Sequence, residues 1–185
     1  MAMIERTESS AHDSRGANEN KFLSFCLGNE QYGVEILRVR EIIGLLAITP
    51  LPQTPAYVKG VMNLRGRIIP VIDLRQRFGL PSTEATKETC IIVLEASEQD
   101  GTQTVMGAIV DSVREVQDIP KTAIEGAPEF GCEIPLRYIL GMGKVKDKVI
   151  VLLEIGEVIG LRERAQIAGA IKDTASAVGA DRRAA

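Results

Sequence analysis

Apolar and polar positions alternate in short runs along most of the chain, and glycine or proline breaks the runs. Phe22-Leu23-Ser24-Phe25-Cys26-Leu27 predicts a strand, Gly28-Asn29-Glu30 a turn, and Tyr32-Gly33-Val34-Glu35-Ile36 an alternating strand coming back. Pro50, Pro52 and Pro55 exclude regular structure and mark an extended loop. A second hairpin follows over Gly60–Leu74. Its two apolar arms flank Arg65-Gly66, where glycine supplies the positive φ of a tight turn. Pro70 has no N–H to give, so its arm is either an edge strand or turns that position away from the ladder. Asp73 and Gln76 stand at capping-box spacing and predict a short helix ending at Phe78-Gly79. Further strands are predicted at Cys90–Glu95 and Val105–Asp111, joined by a polar turn containing Gln99-Asp100-Gly101. At the ends the pattern fades. Residues 1–20 are polar and aperiodic, a lead-in with too little apolar surface to order itself. After Gly160, Leu161, Ala165, Ala168 and Ile167, Ile171, Val178 fall at helical spacing and predict a C-terminal helix with a frayed end.

The pattern also repeats. Gly33, Val39, Glu41 and Ile42 recur 74 residues later as Gly107, Val113, Glu115 and Val116. Tyr57, Gly60, Arg65, Arg67, Ile68 and Asp73 recur 81 residues later as Tyr138, Gly141, Lys146, Lys148, Val149 and Glu154. Charge type is kept at both hairpin tips and at the acid that closes each second arm. The expected organisation is one domain over 21–160, made of copies at about 21–82 and 88–160, with exchange of terminal strands as an option. A C-terminal helix and tail follow over 161–185. A copy of that size has a marginal core on its own, so burial between the copies is expected. Closure into small barrels, which removes exposed sheet edges, leaves a cleft between two pseudo-symmetric units.

Composition narrows the chemistry. Aromatics are 4% of the chain and Trp is absent, so the core relies on Val and Ile, which favour strands. A formal charge of -3 gives no basic footprint for nucleic acid. No apolar run is long enough to span a bilayer, and the polar start lacks the core of a secretory signal, so a cytoplasmic setting without membrane insertion is expected. Cys26, Cys90 and Cys132 are far apart and odd in number, with no Cys-x-x-Cys and no Cys/His cluster, which argues against a metal site or redox pair. The single histidine, His12, lies in the lead-in, so general-base chemistry and histidine phosphotransfer lack their usual residue. Asp73 and Asp111 each end an apolar strand. They are either a carboxylate pair in the cleft or, more simply, caps of turns and helices. Gly141-Met142-Gly143-Lys144 lacks the spacing and the Ser/Thr of a phosphate loop. No catalytic residue, metal or cofactor is assigned.

Several motifs run in order: Phe22-Leu23-x-Phe25, Tyr32-Gly33-Val34-x-Ile36-x-x-Val39-x-Glu41-Ile42, Pro55-Ala56-Tyr57-Val58-Lys59-Gly60, Asn63-Leu64-Arg65-Gly66-x-Ile68-Ile69-Pro70-Val71-Ile72-Asp73-Leu74-Arg75 and Ala127-Pro128-Glu129-Phe130. Together, from about Lys21 to Gly160, the chain resembles the CheW coupling proteins of bacterial chemotaxis. The tails fall outside the resemblance, and the turn at Ala96–Gln103 is long for the family. The resemblance implies a mostly β fold of two SH3-like five-stranded barrels related by the repeat, with short helices. It also implies a non-enzymatic scaffold joining the cytoplasmic tips of methyl-accepting chemoreceptors to the regulatory domain of the histidine kinase CheA.

Site residues follow from that match. Arg65 aligns with the arginine of the Asn-Leu-Arg-Gly motif tied to receptor binding; without the resemblance it reads as a solvated turn arginine. Ile36, Val39 and Ile42, with Val113 and Val116 in the second copy, either line an apolar groove for a receptor helix or belong to the core. Glu41 either pairs with Arg65 or flanks the groove. Phe130, in the Ala-Pro-Glu-Phe loop, and Ile124 are the kinase-facing candidates.

Overall fold

The computed structural model describes residues 18–97, 103–127 and 134–158, together with Ile167 and Gly169. Among these residues, eleven strands form two sheets. The strands are β1 (Lys21–Leu27), β2 (Glu30–Glu35), β3 (Val39–Gly44), β4 (Val58–Leu64), β5 (Arg67–Asp73), β6 (Cys90–Ser97), β7 (Gln103–Val110), β8 (Ser112–Asp118), β9 (Ile124–Glu125), β10 (Ile139–Val145) and β11 (Lys148–Leu153). Single helical turns α1 (Leu74–Arg77) and α2 (Ile155–Val158) follow β5 and β11. One sheet has the order β8-β1-β2-β11-β10-β9 and the other β3-β6-β7-β5-β4. Each therefore draws strands from both halves of the chain. The fold is mostly β, in two SH3-like barrels, one sheet having five strands and the other six. The sixth is the two-residue β9. Its counterpart in the other sheet is Thr49, which exchanges both backbone hydrogen bonds with Val61 without extending into a strand.

The repeat is visible in the geometry. Gly33 of β2 pairs in parallel with Leu152 of β11, and Gly107 of β7 pairs in parallel with Val71 of β5. β4–β5 and β10–β11 carry the same register shift, between Val58 and Gly60 and between Ile139 and Gly141. Gly60, at φ 135, passes so close to the preceding loop that a Cβ would lie 2.0 Å from the Thr49 carbonyl oxygen. A Cβ on Gly141 would lie 2.5 Å from Ile124. The glycines are kept where one strand crosses closely under its neighbour.

Pro70 sits in β5, an interior strand, so the edge-strand option is excluded. Its partner Val61 spends both backbone groups on Thr49, which makes Val61–Pro70 a non-hydrogen-bonded pair and turns the proline nitrogen away from β4. Pairing with β7 begins only at Val71. Asp73 caps α1 through its carboxylate, which accepts from the Gln76 N–H, and Gly79 leaves the turn at φ 74. β7 ends at Val110, one residue before the predicted limit. The Asp111 N–H leaves the ladder and donates to the Cys26 carbonyl on the other sheet.

Strand alternation divides the core in three. In β6, Ile91 and Val93 face a small cluster inside their own barrel with Met62, Ile69 and Val71. Phe22, Ile119, Ile150 and Leu152 fill the other barrel. The opposite faces of both sheets meet in the largest cluster, which joins Phe25, Tyr32 and Val34 to Ile72, Ile92, Leu94 and Met106. Phe25, Tyr32, Phe78 and Tyr138 form a continuous chain of ring contacts through it, with centroids 5.7 to 6.3 Å apart. Ile167 is helical and buried in the same cluster. His12, Cys132, the turn at Gln99-Asp100-Gly101 and most of the predicted C-terminal helix lie outside the described residues.

Candidate functional site

Arg65 and Gly66 occupy the two-residue turn between β4 and β5 at φ 51 and 84. Positive φ at both central positions is the turn whose twist matches a hairpin. For arginine that conformation is strained, and strain of this kind gathers at functional positions. Asn63 holds the turn closed by accepting the Gly66 N–H on its side-chain oxygen at 2.8 Å.

The strained backbone throws the Arg65 side chain out across the barrel end, where it is 77% exposed. Glu41 of β3 receives it with both oxygens, Nη1–Oε1 at 3.1 Å and Nη2–Oε2 at 2.8 Å. So Glu41 pairs with Arg65. Such an exposed pair adds little stability, but the two parallel bonds fix the plane of the guanidinium and leave its remaining N–H groups facing solvent. Beneath lies a cleft of about 200 Å³ lined by Arg40, Glu41, Arg65 and Arg67 over Leu64, Ile69 and Val93. Arg40 is paired with Glu95 of β6. Ile68, two residues beyond Gly66 in the apolar second arm, is 57% exposed.

The groove candidates divide by burial. Ile36, Val39 and Val113 are half-buried against the shared core, beside the two crossovers where the chain passes between sheets. Ile42 and Val116 stand on the edge strands β3 and β8, 45% and 48% exposed. Exposed Leu37, Leu45 and Leu46 extend the apolar surface on the β3 side. Ile124 is half-buried and packs into the small core of its barrel, while its strand β9 is the outermost strand of its sheet among the described residues. Phe130 lies outside the described residues.

Asp73 and Asp111 line one cleft of about 280 Å³ with Lys59, Arg75 and Glu84. Each already has a structural partner. Asp111 pairs with Arg75 and accepts the Gly28 N–H at 2.7 Å, tying the β1–β2 turn to α1. Asp73 caps α1. Among the described residues, no group of three or more His, Cys, Asp or Glu side chains converges as a metal site, and no helix is long and apolar enough to cross a membrane.

Comparison with known proteins now fits this geometry. Residues 21–163 match the CheW-like domain family model. The chain belongs to the CheW family. A chemotaxis protein CheW from Klebsiella aerogenes is 37% identical over 147 residues, covering 80% of this chain and 86% of that protein. CheW from Helicobacter pylori is 34% identical, covering 82% and 90% respectively. The crystal structure of the scaffolding protein TtCheW from Thermoanaerobacter tengcongensis superposes with a TM-score of 0.69 at 35% identity. It covers 78% of this chain and 95% of that one. The matched span contains both sheets, both hairpin tips and the crossovers, so the Arg65 hairpin is part of the CheW-like domain itself.

Proposed function

We propose that the protein is a non-enzymatic adaptor of chemotaxis, coupling the cytoplasmic tips of chemoreceptors to the regulatory domain of the kinase CheA. It works in the cytoplasm, held at receptor arrays through its partners. The observation that carries the reading is the Arg65 guanidinium: strained in its turn, exposed, and oriented by a bidentate bond to Glu41. A planar fork held in place at low entropic cost suits a partner carboxylate or amide, and arginine is enriched among residues that dominate interfaces. Ile36, Val39, Ile42, Val113 and Val116 supply apolar contact beside it for an amphipathic receptor helix. The kinase side is assigned to Ile124, on the outer strand β9, and to Phe130 in the Ala-Pro-Glu-Phe segment that follows it. Coupling then needs no chemical step: receptor and kinase held on one rigid body bias each other's conformational states. The test is binding of the purified protein, separately, to a receptor tip fragment and to the kinase regulatory domain. Saturable binding to both is expected; a folded protein that binds neither overturns the reading.

A further inference from the structure

Three guanidiniums meet at the first barrel end, and they differ in what holds them. Arg65 is clasped by both oxygens of Glu41, and Arg40 donates through Nε to the carboxylate of Glu95. Arg67, the first residue of β5, is exposed and forms no ion pair among the described residues. Two acids against three guanidiniums leave this surface, among the described residues, with one positive charge unmatched. The other hairpin tip is built differently. There Asp147 stands between Lys146 and Lys148, whereas Gly66 separates Arg65 from Arg67 and brings no acid.

Strand alternation sets Arg67 at the barrel mouth. In β5, Arg67, Ile69 and Val71 share one face, and Ile69 and Val71 belong to the small inner cluster. Arg67 thus stands at the rim of the cleft of about 200 Å³, over Leu64, Ile69, Val93 and Val105. Leu64 and Val105 are only partly buried against the inner cluster, so part of the apolar floor is open. The volume is below the ~300–1,000 Å³ of ordinary small-molecule pockets and suits one side chain. An apolar floor under an unmatched cation selects an aliphatic stem that ends in a negative charge.

We infer that Arg67 is a specificity-determining residue of the receptor surface and takes a glutamate side chain from the receptor helix. The inference rests on the receptor reading of Arg65 proposed above and adds the chemistry of what is recognised. The glutamate methylenes rest on Leu64 and Val105, and its carboxylate receives the Arg67 fork. Arg65 and Arg40, each held by its own acid, border the seat without competing for it. Because Arg67 has no acid to release, docking replaces water with a charge-assisted pair and breaks no ion pair already made. A neutral or basic residue in the same place would leave the guanidinium unmatched, which is how the seat discriminates.

The test is a double-mutant cycle between the full chain and a receptor tip fragment, read by calorimetry at low and at high salt. Arg67→Gln, at an exposed strand end, should weaken binding about tenfold in low salt and less in high salt. Arg67→Glu should weaken it further. Each exposed glutamate of the fragment is then changed to Gln in turn. One of these changes should cost the wild-type chain about tenfold and cost Arg67→Gln almost nothing. Changing that same glutamate to Arg should rescue Arg67→Glu. Affinity for the kinase regulatory domain should not move. Equal receptor affinity for wild type and Arg67→Gln, losses that add independently at every glutamate, or an equal loss toward the kinase domain would overturn the inference and leave the Arg65 reading standing. A folded wild-type chain that binds no receptor fragment would overturn both, so the two failures are distinguishable.

Discussion

Arg65 concentrates the cost and the use of the first hairpin in one residue. A non-glycine residue at φ 51 is held there against an intrinsic penalty of about 1–3 kcal/mol, and its ion pair with Glu41 is too exposed to repay that in stability. What the arrangement secures is direction. Replacing Arg65 with Asp reverses the charge, sets it against Glu41 and removes the fork. Affinity for a receptor tip fragment, measured by calorimetry, should fall by about 2 kcal/mol or more, with the circular dichroism spectrum and kinase-domain affinity unchanged. Unaltered receptor affinity would return Arg65 to a solvated turn residue. Gly60 makes the opposite case, a residue required by shape alone. At φ 135, with the Thr49 carbonyl 2.0 Å from any added Cβ, Gly60→Ala must push the loop off β4. Urea denaturation should show a loss above about 2 kcal/mol, whereas Gly66→Ala, with open space around its Cβ position, carries only the penalty of its positive φ.

Among the elements, the hairpins and the α1 cap were legible in the sequence because their signals are local: a glycine at a turn, an acid three residues before Gln76, a two-residue alternation. Asp73→Ala should accordingly cost about 1 kcal/mol in chemical denaturation, the usual value of a lost helix cap. The edge strands β3 and β8 are harder to read. Their outward positions carry Arg40, Ile42, Arg114 and Val116, so neither face is uniformly apolar, and the spacing of Ile36, Val39 and Ile42 imitates a helix-facing stripe. The 3-10 turn Ile36–Arg38 breaks the strand period between the first two of these. The Arg65–Glu41 bond was beyond sequence reasoning for another reason. It joins residues from different strands through side chains whose direction depends on how far the sheet curls. The contact of Arg114 Nε with the Cys26 sulfur, at 3.3 Å, has the same character, since it depends on the register of β1 against β8. Cys90, at the start of β6, yields a prediction for this element. Burial pushes its thiol above the ordinary value, against a smaller opposing effect from the Val113 backbone. The folded state therefore retains a proton that the unfolded chain gives up. Stability should be unaffected below about pH 8.5, the unfolded thiol value, and decline as pH rises beyond it. In Cys90→Ala this part of the decline should disappear from denaturation midpoints measured between pH 7 and 10.

At the scale of the whole molecule, the sheets and the sequence copies divide the chain differently. β3 to β7 are consecutive and make a complete five-stranded sheet, while the other sheet combines β1 and β2 with β8 to β11. By connectivity alone, residues 39–110 look like an excisable barrel. The core argues otherwise. The small cluster inside that barrel rests on Met62, Ile69, Val71, Ile91 and Val93, whereas Val58, Ile72, Ile92, Leu94, Met106, Ala108 and Val110 on its outer face belong to the large cluster shared with the other sheet. Fully burying a side chain of this kind is worth about 1.5–3 kcal/mol. Exposing that whole face would outweigh the ~5–15 kcal/mol by which a folded domain is ordinarily stable. The crossover adds to this, because Arg75 of α1 finds its carboxylate, Asp111, just beyond the fragment's end. A fragment of residues 39–110 should therefore show poor amide dispersion and bind a hydrophobic dye, or self-associate through its open face. The intact chain should unfold in one transition whether followed by Tyr fluorescence or by backbone circular dichroism. A dispersed spectrum from a monomeric fragment would show that the barrel is self-sufficient and that the inter-sheet core only docks two finished units. Two barrels that share one core hold the Arg65 tip and β9 in a fixed relation, which is the arrangement the single transition tests.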